Sequence, residues 1–448
     1  MRHRDAADVV VVGAGIAGLV AACRIAEAGL SPLVLEAHPT RVGGRLEAAV
    51  RNGHTLDLGG TWIGSGHVRA AALARELGIG TWLSWDHGER VFSGPSRVGG
   101  LAHRAVDRLT AIDQRMAEIR LARLSRHICH HTPWHSPLSR VLDRTTLDAW
   151  LSRAALTARS RAGLRLLLTN VLAVDLRQVS LLHALYYLRS NGGLGRLLRT
   201  TGGAQERLLT GGAHLMAERL AERLGDAVRL GSRVRRIEQD GGGVVVESDS
   251  GRVRAGAAVV ALPPTLSAGL DIEPRVPARD RLAECTRQGD VVRMVALYDE
   301  PFWRERGLSG EAWGPGMPFS LTHDVSAPGG PGVLSVFALG PQARRLRQVP
   351  AEARRAAVLG ALARCFGPEA GHAAAYVERD WVGDAWTRGG YGGAVGPGGW
   401  TRHGHALREP AGRVCWAGTE TAREHTGYVE GAIESGERAA GEALALAG

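Results

Sequence analysis

The first forty residues constrain the fold of this chain more than any other segment. Residues 8–12 form a continuous apolar run typical of a buried parallel strand, and residues 13–18 read GAGIAG. Residues 19–28 have the apolar spacing of a helix, and a second apolar run follows at residues 32–35. This order predicts a βαβ unit, in which two parallel strands share one sheet and a helix crosses between them.

The glycine-rich turn has the pattern of a dinucleotide site. Its glycines allow a tight turn and close backbone approach, and the N-terminus of the following helix offers N–H groups and a positive dipole end to a pyrophosphate. Glu36 lies 23 positions after Gly13, at the end of the second strand, where a carboxylate can accept hydrogen bonds from a ribose. The residues expected to contact the dinucleotide here are Gly13, Gly15, Ile16, Ala17, Gly18, Glu36 and Ala37.

Length and composition indicate a globular protein. The 448 residues, 44% hydrophobic and 22% charged, can bury a large core and form two or three domains. No uncharged apolar run of about 18 residues occurs, and the N-terminus enters a strand without a signal-peptide pattern, so we expect a cytoplasmic protein that does not associate with membranes. The five cysteines form no CxxC pair, which argues against a disulfide framework or a zinc site.

The positive charge does not by itself predict a nucleic-acid partner. The net charge is +10, but the sequence contains no lysine, and its 55 arginines are interleaved with acidic residues. A general bias toward arginine explains this better than a nucleic-acid surface. Four histidines within residues 127–135 invite a metal hypothesis; they are His127, His130, His131 and His135. Apart from Cys129, no Asp, Glu or Cys completes a ligand set there, so we expect an exposed loop of the substrate domain and no metal.

The remaining patterns indicate two interleaved domains. Helical spacing dominates residues 104–195, and a final helix is expected to begin near residue 427. Strand patterns occur at residues 233–237, 244–247, 257–262, 291–298, 333–339 and 414–417. Dinucleotide-domain features thus occur at the start, middle and end of the chain. We predict a dinucleotide-binding domain of residues 6–82, 203–272 and 379–448, and a substrate domain of residues 83–202 and 273–378.

Further motifs carry a family resemblance. RVGGR at residues 41–45 and LDLGGTW at 56–62 pair glycines with an arginine, which suits a backbone wrapped around phosphates with a guanidinium clamp. Five more motifs follow in order: LLTGG at 208–212, SRV at 232–234, ALPP at 261–264, WAGTET at 416–421 and TGYVEGA at 426–432. With these motifs the chain resembles the flavin monoamine oxidase family, within the group that includes polyamine oxidases and L-amino-acid oxidases, over nearly its whole length.

The resemblance implies an α/β, two-domain flavin amine oxidase-like fold. In it, a Rossmann-type FAD-binding domain is interleaved with a substrate domain made of a mixed sheet and helices. It also implies that a helix N-terminus at the last motif faces the N1/O2 edge of the flavin, where its dipole would stabilise the anionic reduced form. The further FAD contacts that it implies are Gly43, Gly44, Arg45, Gly59, Gly60, Thr61, Trp62, Val234, Trp381, Gly418, Thr419, Glu420, Gly427, Tyr428 and Val429.

The implied substrate site rests on two tyrosines and one arginine. Tyr391 and Tyr428, 37 positions apart, fall where the family places two aromatic rings that orient an amine in front of the flavin. Arg293 stands where the family usually has a lysine that holds a water and assists oxygen activation. In a chain without lysine this is either a compositional replacement or a change in oxygen chemistry. Gly390 replaces the cysteine of members with covalent flavin, so we expect non-covalent FAD.

The implied reaction takes a small-molecule amine and oxygen. The amine becomes an imine, which hydrolyses to an aldehyde and ammonia, and oxygen becomes hydrogen peroxide. A tailoring oxidase or desaturase that acts on a bulkier amine, amide or amino acid is the alternative, because the substrate domain is long and rich in arginine. A non-catalytic FAD-bound interaction protein is disfavoured because both tyrosines are present. A homodimer is compatible with all of these.

Overall fold

The computed structural model describes residues 6–93 and 101–447. The strands are β1 (Val9–Val12), β2 (Pro32–Leu35), β3 (Ala48–Arg51), β4 (His54–Asp57), β5 (Trp62–Ile63), β6 (Thr81–Leu83), β7 (Glu89–Phe92), β8 (Arg207–Leu209), β9 (Val228–Arg229), β10 (Val234–Gln239), β11 (Val244–Ser248), β12 (Gly251–Ala255), β13 (Ala257–Val260), β14 (Asp271–Glu273), β15 (Thr286–Gln288), β16 (Val291–Tyr298), β17 (Leu308–Trp313), β18 (Leu321–Asp324), β19 (Gly332–Leu339), β20 (Ala375–Asp380), β21 (Gly393–Val395) and β22 (Val414–Trp416).

The α-helices are α1 (Ile16–Glu27), α2 (Val68–Glu76), α3 (Leu101–Arg126), α4 (Ser139–Arg144), α5 (Leu147–Ala154), α6 (Ala158–Leu172), α7 (Leu181–Ser190), α8 (Leu194–Leu197), α9 (Leu215–Leu224), α10 (Pro264–Ser267), α11 (Pro277–Glu284), α12 (Pro341–Arg347), α13 (Ala351–Phe366), α14 (Gly399–His403) and α15 (Val429–Ala447). Short 3-10 helices cover Pro133–His135, Gly225–Ala227, Pro368–Gly371, Gly404–Leu407 and Thr419–Thr421.

A parallel sheet forms the base of the fold. Its strand order is β22-β13-β1-β2-β9, so it combines strands from the start, the middle and the end of the chain. The four valines of β1 are buried because both faces of the sheet are covered. Val9 and Val11 pack in the core that α1 and α15 cover, while Val10 and Val12 pack in the core formed with the sheet β12-β11-β10-β14.

A six-stranded mixed sheet forms the second layer, in the order β20-β16-β19-β18-β17-β7. Its two central strands, β16 and β19, are buried along their whole length. Alternate residues face opposite sides: Met294 and Val336 pack in the core that α13 closes, whereas Phe337 packs in a separate cluster with Tyr391. The strand period therefore turns Arg293, which neighbours Met294, away from that helical layer.

The local predictions from the sequence are confirmed. β2 has the predicted bounds, and α1 begins three residues before the predicted helix. Residues 104–195, all of which the structure describes, contain helices and no strand. The six strand patterns correspond to β10, β11, β13, β16, β19 and β22, and the last helix is α15. Shorter strands, such as β3, β5, β8 and β18, were not predicted.

Two predicted domain boundaries fall within or beside a strand. β14 spans residue 272 and β20 spans residue 378, and β20 pairs with β16 in the mixed sheet. Strand ends lie nearby, at Glu273 and Asp380. The domain division otherwise stays a prediction. Among the described residues, no helix combines the length and the apolar character needed to cross a membrane.

Candidate active site

A cavity of about 1380 Å³ lies where the two layers meet. One end is lined by residues that follow the carboxyl ends of β1, β2 and β13, among them Gly13, Glu36 and Ala261. Ligands of parallel α/β sheets bind at these strand ends. Another part is lined by the face of α6 that carries Gly163, Leu167 and other residues at helical spacing. The cavity therefore connects a nucleotide-type cradle with the helical segment.

The turn after β1 has the shape of a pyrophosphate cradle. Gly13 has φ +98°, a conformation that favours glycine. A Cβ on Gly18 would lie 2.0 Å from the Gly13 carbonyl oxygen, so α1 packs directly on the turn. A Cβ on Gly15 would meet no atom within 4 Å and would project into the space where a ligand is expected. Ile16 and Ala17 line this space with first-turn N–H groups that have no partner within the helix. These residues fit a bound pyrophosphate.

Glu36 fixes the same turn from the end of β2. Its Oε2 accepts a hydrogen bond from the Ala14 N–H at 2.6 Å, and its Oε1 accepts one from the His38 N–H at 2.7 Å. The side chain is 8% exposed and lines the cavity. The carboxylate is thus placed where the sequence pattern expects a ribose, and it also holds two backbone segments together.

Arg45 joins three distant parts of the chain. Its guanidinium forms a bidentate pair with Glu420, at 2.7 and 3.1 Å, and also donates to the Tyr391 carbonyl at 2.7 Å. Glu420 in turn accepts from the Gly393 N–H at 3.1 Å. Burial opposes ionisation of Glu420, but the charge and hydrogen bonds of Arg45 outweigh it and lower the pKa of this carboxyl. The pair ties the loop that carries Tyr391 to the wall of the cavity.

Arg293 is a buried cation in the cavity wall. It is 1% exposed, and its Nη1 donates to the Gly59 carbonyl and, at 2.6 Å, to Thr61 Oγ1. Its guanidinium carbon lies 4.8 Å from the Phe337 ring centroid. Burial lowers the pKa of Arg293 to about 10, so the group stays protonated at neutral pH. Burial also raises the pKa of Asp57 to about 7, against the opposing effects of Arg293 and a backbone N–H.

Two further lining residues come from β10 and from the segment after β20. Val234, the first residue of β10, is 5% exposed and lines the cavity. Trp381 is also buried; its Nε1 donates to the Leu58 carbonyl at 2.7 Å, and Arg379 lies 4.8 Å from its ring centroid. Both side chains present apolar surface to the cavity, against which a planar ring system of a ligand could pack.

The last motif brings a helix N-terminus to the cavity. Thr419 Oγ1 accepts from the Gly427 N–H at 2.7 Å and donates to the Tyr428 carbonyl at 2.9 Å. These bonds fold residues 419–428 into a compact loop that ends at Val429, where α15 begins. Gly427, Tyr428 and Val429 line the cavity, so the positive end of the 19-residue helix dipole points toward it.

Tyr391 and Tyr428 line the same cavity from separate elements. The Tyr391 ring packs edge-on against Phe337, with centroids 6.5 Å apart, and Tyr428 packs edge-on against His67 at 5.0 Å. Burial raises the pKa of Tyr428 to about 12, and burial followed by the neighbouring Tyr428 raises the pKa of Tyr391. Both rings are therefore neutral phenols held by aromatic neighbours.

Comparison with known proteins decides the family. The family described as flavin containing amine oxidoreductase matches residues 16–444. AofH of Mycobacterium tuberculosis, assigned as a flavin-containing monoamine oxidase, is 39% identical over 445 residues, which are 98% of this chain and 97% of the relative. Amine oxidase B of Sus scrofa is 34% identical over 98% of this chain and 86% of its own. The chain belongs to the flavin-containing amine oxidoreductase family.

Solved structures of amine oxidases have the same fold. A redesigned putrescine oxidase superposes with a TM-score of 0.90 at 31% identity, covering 98% of this chain and 99% of its own. Cyclohexylamine oxidase from Brevibacterium oxydans superposes with a TM-score of 0.89 at 29% identity, covering 99% of both chains. This amine oxidase thus has the predicted two-domain flavin amine oxidase fold, FAD is its cofactor, and its reaction is FAD-dependent amine oxidation.

The fold of the amine oxidase brings nearly all the predicted site residues to one cavity. The exceptions are Gly18 and Glu420, which act on it through the turn and through Arg45. The residues that line it are Gly13, Gly15, Ile16, Ala17, Glu36, Ala37, Gly43, Gly44, Arg45, Gly59, Gly60, Thr61, Trp62, Val234, Arg293, Trp381, Tyr391, Gly418, Thr419, Gly427, Tyr428 and Val429.

Several further residues that line the cavity were not predicted. Glu311 forms an ion pair with Arg90 (Oε2 to Nε, 2.8 Å), and its Oε1 lies 3.7 Å from Nδ1 of His323. Tyr187 also lines the cavity; burial, and then the nearby Tyr428, raise its pKa well above the usual value. No motif marks these residues in the sequence, because they become neighbours only in the folded chain.

Proposed function

We propose that this amine oxidase uses molecular oxygen as its electron acceptor and produces hydrogen peroxide, an imine, and from the imine an aldehyde and ammonia. When bound, FAD accepts a hydride equivalent from the carbon next to nitrogen and returns the electrons to oxygen. The observation that carries this proposal is that Tyr391, Tyr428 and Arg293 line one cavity with the predicted FAD cradle.

The two tyrosines are proposed to orient the amine. Each ring is a neutral phenol with a negative face, and each is held by an aromatic neighbour, Phe337 or His67. Such faces attract an amino group and restrict its rotation, which contributes to rate by holding the reacting carbon in position. The Arg45–Glu420 pair supports this task, because Arg45 holds the backbone carbonyl of Tyr391.

Arg293 is proposed to act on the oxygen half of the reaction. A guanidinium cannot serve as a base, but it keeps its charge and its donors when it is buried. Its bonds to Gly59 and Thr61 fix it in place, so it can stabilise negative charge without reorganisation. Arginine thereby supplies the charge that lysine supplies elsewhere in the family, with a larger and more rigid donor set.

The proposed domain division follows the two layers. Segments 6–82, 203–272 and 379–448 hold the parallel sheet, and segments 83–202 and 273–378 hold the helical segment and nearly all of the mixed sheet. We also propose a reducing, cytoplasmic location, since the five cysteines are free thiols.

Stopped-flow kinetics of the two half-reactions test the proposed roles. Tyr391→Ala and Tyr428→Ala should slow anaerobic flavin reduction much more than they change FAD content. Arg293→Met should slow reoxidation by oxygen and leave reduction nearly unchanged, and Arg293→Lys should retain or raise the reoxidation rate. Tyr298→Phe is a matched control, because this buried hydroxyl donates to the Ala370 carbonyl at 2.8 Å outside the cavity lining.

Two results would reject these roles. If both tyrosine variants reduce flavin at the wild-type rate, the amine is held by other residues. If Arg293→Met reoxidises as fast as the wild type, Arg293 has no part in oxygen reactivity.

An oxidase for a larger substrate is the second candidate. Arg90, Glu311 and His323 line the same cavity as the two tyrosines, and these charged and polar side chains offer partners to a second polar group that a simple alkylamine lacks. A peroxide-coupled screen of short amines against amines that carry a second polar group separates the two candidates.

A further inference from the structure

One row of apolar side chains crosses the mixed sheet along the cavity. Strand register places Phe337 of β19 opposite Leu321 of β18, and Leu321 opposite Trp313 of β17. Trp313 in turn lies opposite Phe92 of β7, the strand at the edge of the sheet. All four residues line the cavity. They therefore form an apolar row across four neighbouring strands.

The apolar row runs from the interior of the protein to its surface. At one end Phe337 is buried and lies opposite Arg293 of β16, which is also buried. At the other end Phe92 is 58% exposed. The Tyr391 ring packs against Phe337, so the proposed amine site adjoins the buried end of the row. A chain that extends along the row thus leads from that site toward solvent.

Glu311 and His323 stand beside the apolar row. Glu311 precedes Trp313 by two positions on β17, and His323 follows Leu321 by two positions on β18. Both line the cavity, and Glu311 Oε1 lies 3.7 Å from His323 Nδ1. The Glu311 side chain keeps 14% of its surface accessible. A carboxylate is therefore available to a ligand that lies along the row.

The surroundings of Glu311 carry an excess of negative charge. Arg90 pairs with Glu311 (Nε to Oε2, 2.8 Å) and also with Asp86 (Nη2 to Oδ1, 3.1 Å). Burial opposes ionisation of Glu311, but His323, Arg90 and a hydrogen bond from Thr200 outweigh it and lower the pKa of this carboxyl. One guanidinium thus serves two carboxylates, and one negative charge is left over unless His323 is protonated. A cationic group of a ligand can supply the missing charge.

The spacing of the strands sets the length of such a ligand. Trp313 is two strands away from Phe337, and because neighbouring strands lie about 4.8 Å apart, the two positions are roughly 10 Å apart. An extended chain advances about 3.5 Å over three bonds, so this distance corresponds to about nine bonds. Butane-1,4-diamine has only about half this length between its nitrogens.

We propose that this amine oxidase binds a diamine or polyamine in an extended form, with a second ammonium group at Glu311 and the methylene chain along the apolar row. The second nitrogen lies about nine bonds from the reacting one. This inference deepens the proposed function and rests on it for the position of the reacting nitrogen at Tyr391 and Tyr428. Glu311 then selects the substrate by length as well as by charge.

The test compares α,ω-diamines with n-alkylamines of the same carbon number, over a series of about four to twelve carbons. Binding is measured by calorimetry on the FAD-loaded protein after reduction with dithionite under nitrogen, because reduced flavin cannot accept a hydride and no turnover occurs. Near eight carbons the diamine should bind at least about tenfold more tightly than the alkylamine, since a charge-assisted hydrogen bond is gained. At four carbons the two should bind about equally. The values of kcat/KM for the oxidised enzyme should follow the same order.

Three variants separate the charge of Glu311 from its structural role. Glu311→Gln keeps the shape of the side chain but removes its charge, so the preference for the eight-carbon diamine should fall by about tenfold. Arg90→Gln removes the competing cation and should raise this preference, which damage to the fold would not do. Glu378→Gln is the matched control and should equal the wild type: Glu378 of β20 is 16% exposed and pairs with Arg354, but it does not line the cavity.

Two results would overturn this inference. They are a diamine preference that does not rise with chain length toward eight carbons, and an equal preference in the wild type and Glu311→Gln. An enzyme that oxidises amines but gives either result keeps the proposed function and loses the Glu311 site. Conversely, length-dependent diamine binding without oxidation of any amine would support the Glu311 site and reject the proposed function.

Discussion

Replacing Glu36 separates two tasks that its carboxylate performs. One oxygen accepts from the Ala14 N–H and the other from the His38 N–H, and the same group lines the predicted ribose site. Glutamine has nearly the same shape but only one acceptor oxygen, and its amide nitrogen is a donor. Glu36→Gln therefore leaves one of the two backbone N–H groups without an acceptor, and Glu36→Ala leaves both.

The expected magnitudes follow from these bonds. A hydrogen bond to a charged group contributes about 1.5 to 3 kcal/mol, so Glu36→Gln should lower the free energy of unfolding of the FAD-free protein by about that amount. Glu36→Ala should lower it by about 3 to 6 kcal/mol, a large part of the roughly 5 to 15 kcal/mol that stabilises a protein. Loss of the ribose contact should raise the Kd for FAD by about 10- to 150-fold in either variant.

Urea unfolding of the FAD-free protein and fluorescence titration with FAD measure the two effects separately. Asp8→Asn is the matched control: Asp8 is exposed and accepts two hydrogen bonds from Ser31, both at 2.7 Å, outside the cavity lining. Its unfolding free energy should change by about 0.5 kcal/mol and its Kd for FAD should not change. An FAD Kd in Glu36→Gln within twofold of the wild type would refute the ribose contact, and unchanged unfolding would refute the structural task.

Three further predictions concern the flavin link, acid stability and substrate range. Acid precipitation should release all FAD into the supernatant, since Gly390 has no sulfur; flavin that stays with the precipitate contradicts this. His67 accepts from the Gly64 N–H at 2.9 Å, and burial, more than nearby cations, lowers its pKa to about 3. As pH falls below about 6.5, His67 therefore takes up a proton in the unfolded chain before it does in the folded protein, which lowers the free energy of unfolding by up to about 1.4 kcal/mol per pH unit. His67→Asn should reduce this loss of stability between pH 7.5 and 5. An equal change in the urea unfolding curves of the wild type and the variant over this pH range would argue against it. Glu311→Gln should change kcat/KM for amines with a distal polar group more than for short alkylamines, and an equal change for both would exclude Glu311 from specificity.

The sequence was most informative where the relevant interactions are local. One stretch of fewer than 20 residues contains the valines of β1, the glycines of residues 13–18 and the apolar spacing of α1. The conformation of each part is predictable from its hydrophobic periodicity or from the backbone freedom of glycine. The positions of Tyr391 and Tyr428 came from the resemblance to the family and not from periodicity, because a buried tyrosine looks the same in a core and in a site.

Contacts between segments far apart in the chain could not be predicted from the sequence. Arg45 and Glu420 are 375 positions apart, and their pairing shows that Glu420 reaches the cavity only through another side chain. The ion pair of Glu311 with Arg90 likewise joins β17 to β7, which pair as parallel strands in the mixed sheet.

The sequence by itself determined the βαβ unit, the helical segment, the family and the residue types available for the chemistry. Only the tertiary structure decided which of these residues share a cavity and how many of their hydrogen-bonding groups find a partner. Arg293 is an example, because the sequence shows only that it carries a positive charge. When β16 packs against the segment after β4, Arg293 becomes buried, donates to Gly59 and Thr61, and is left with two donor groups that have no partner among the described residues. Desolvation and hydrogen-bond satisfaction depend on the groups that surround a side chain, and these come from the whole chain.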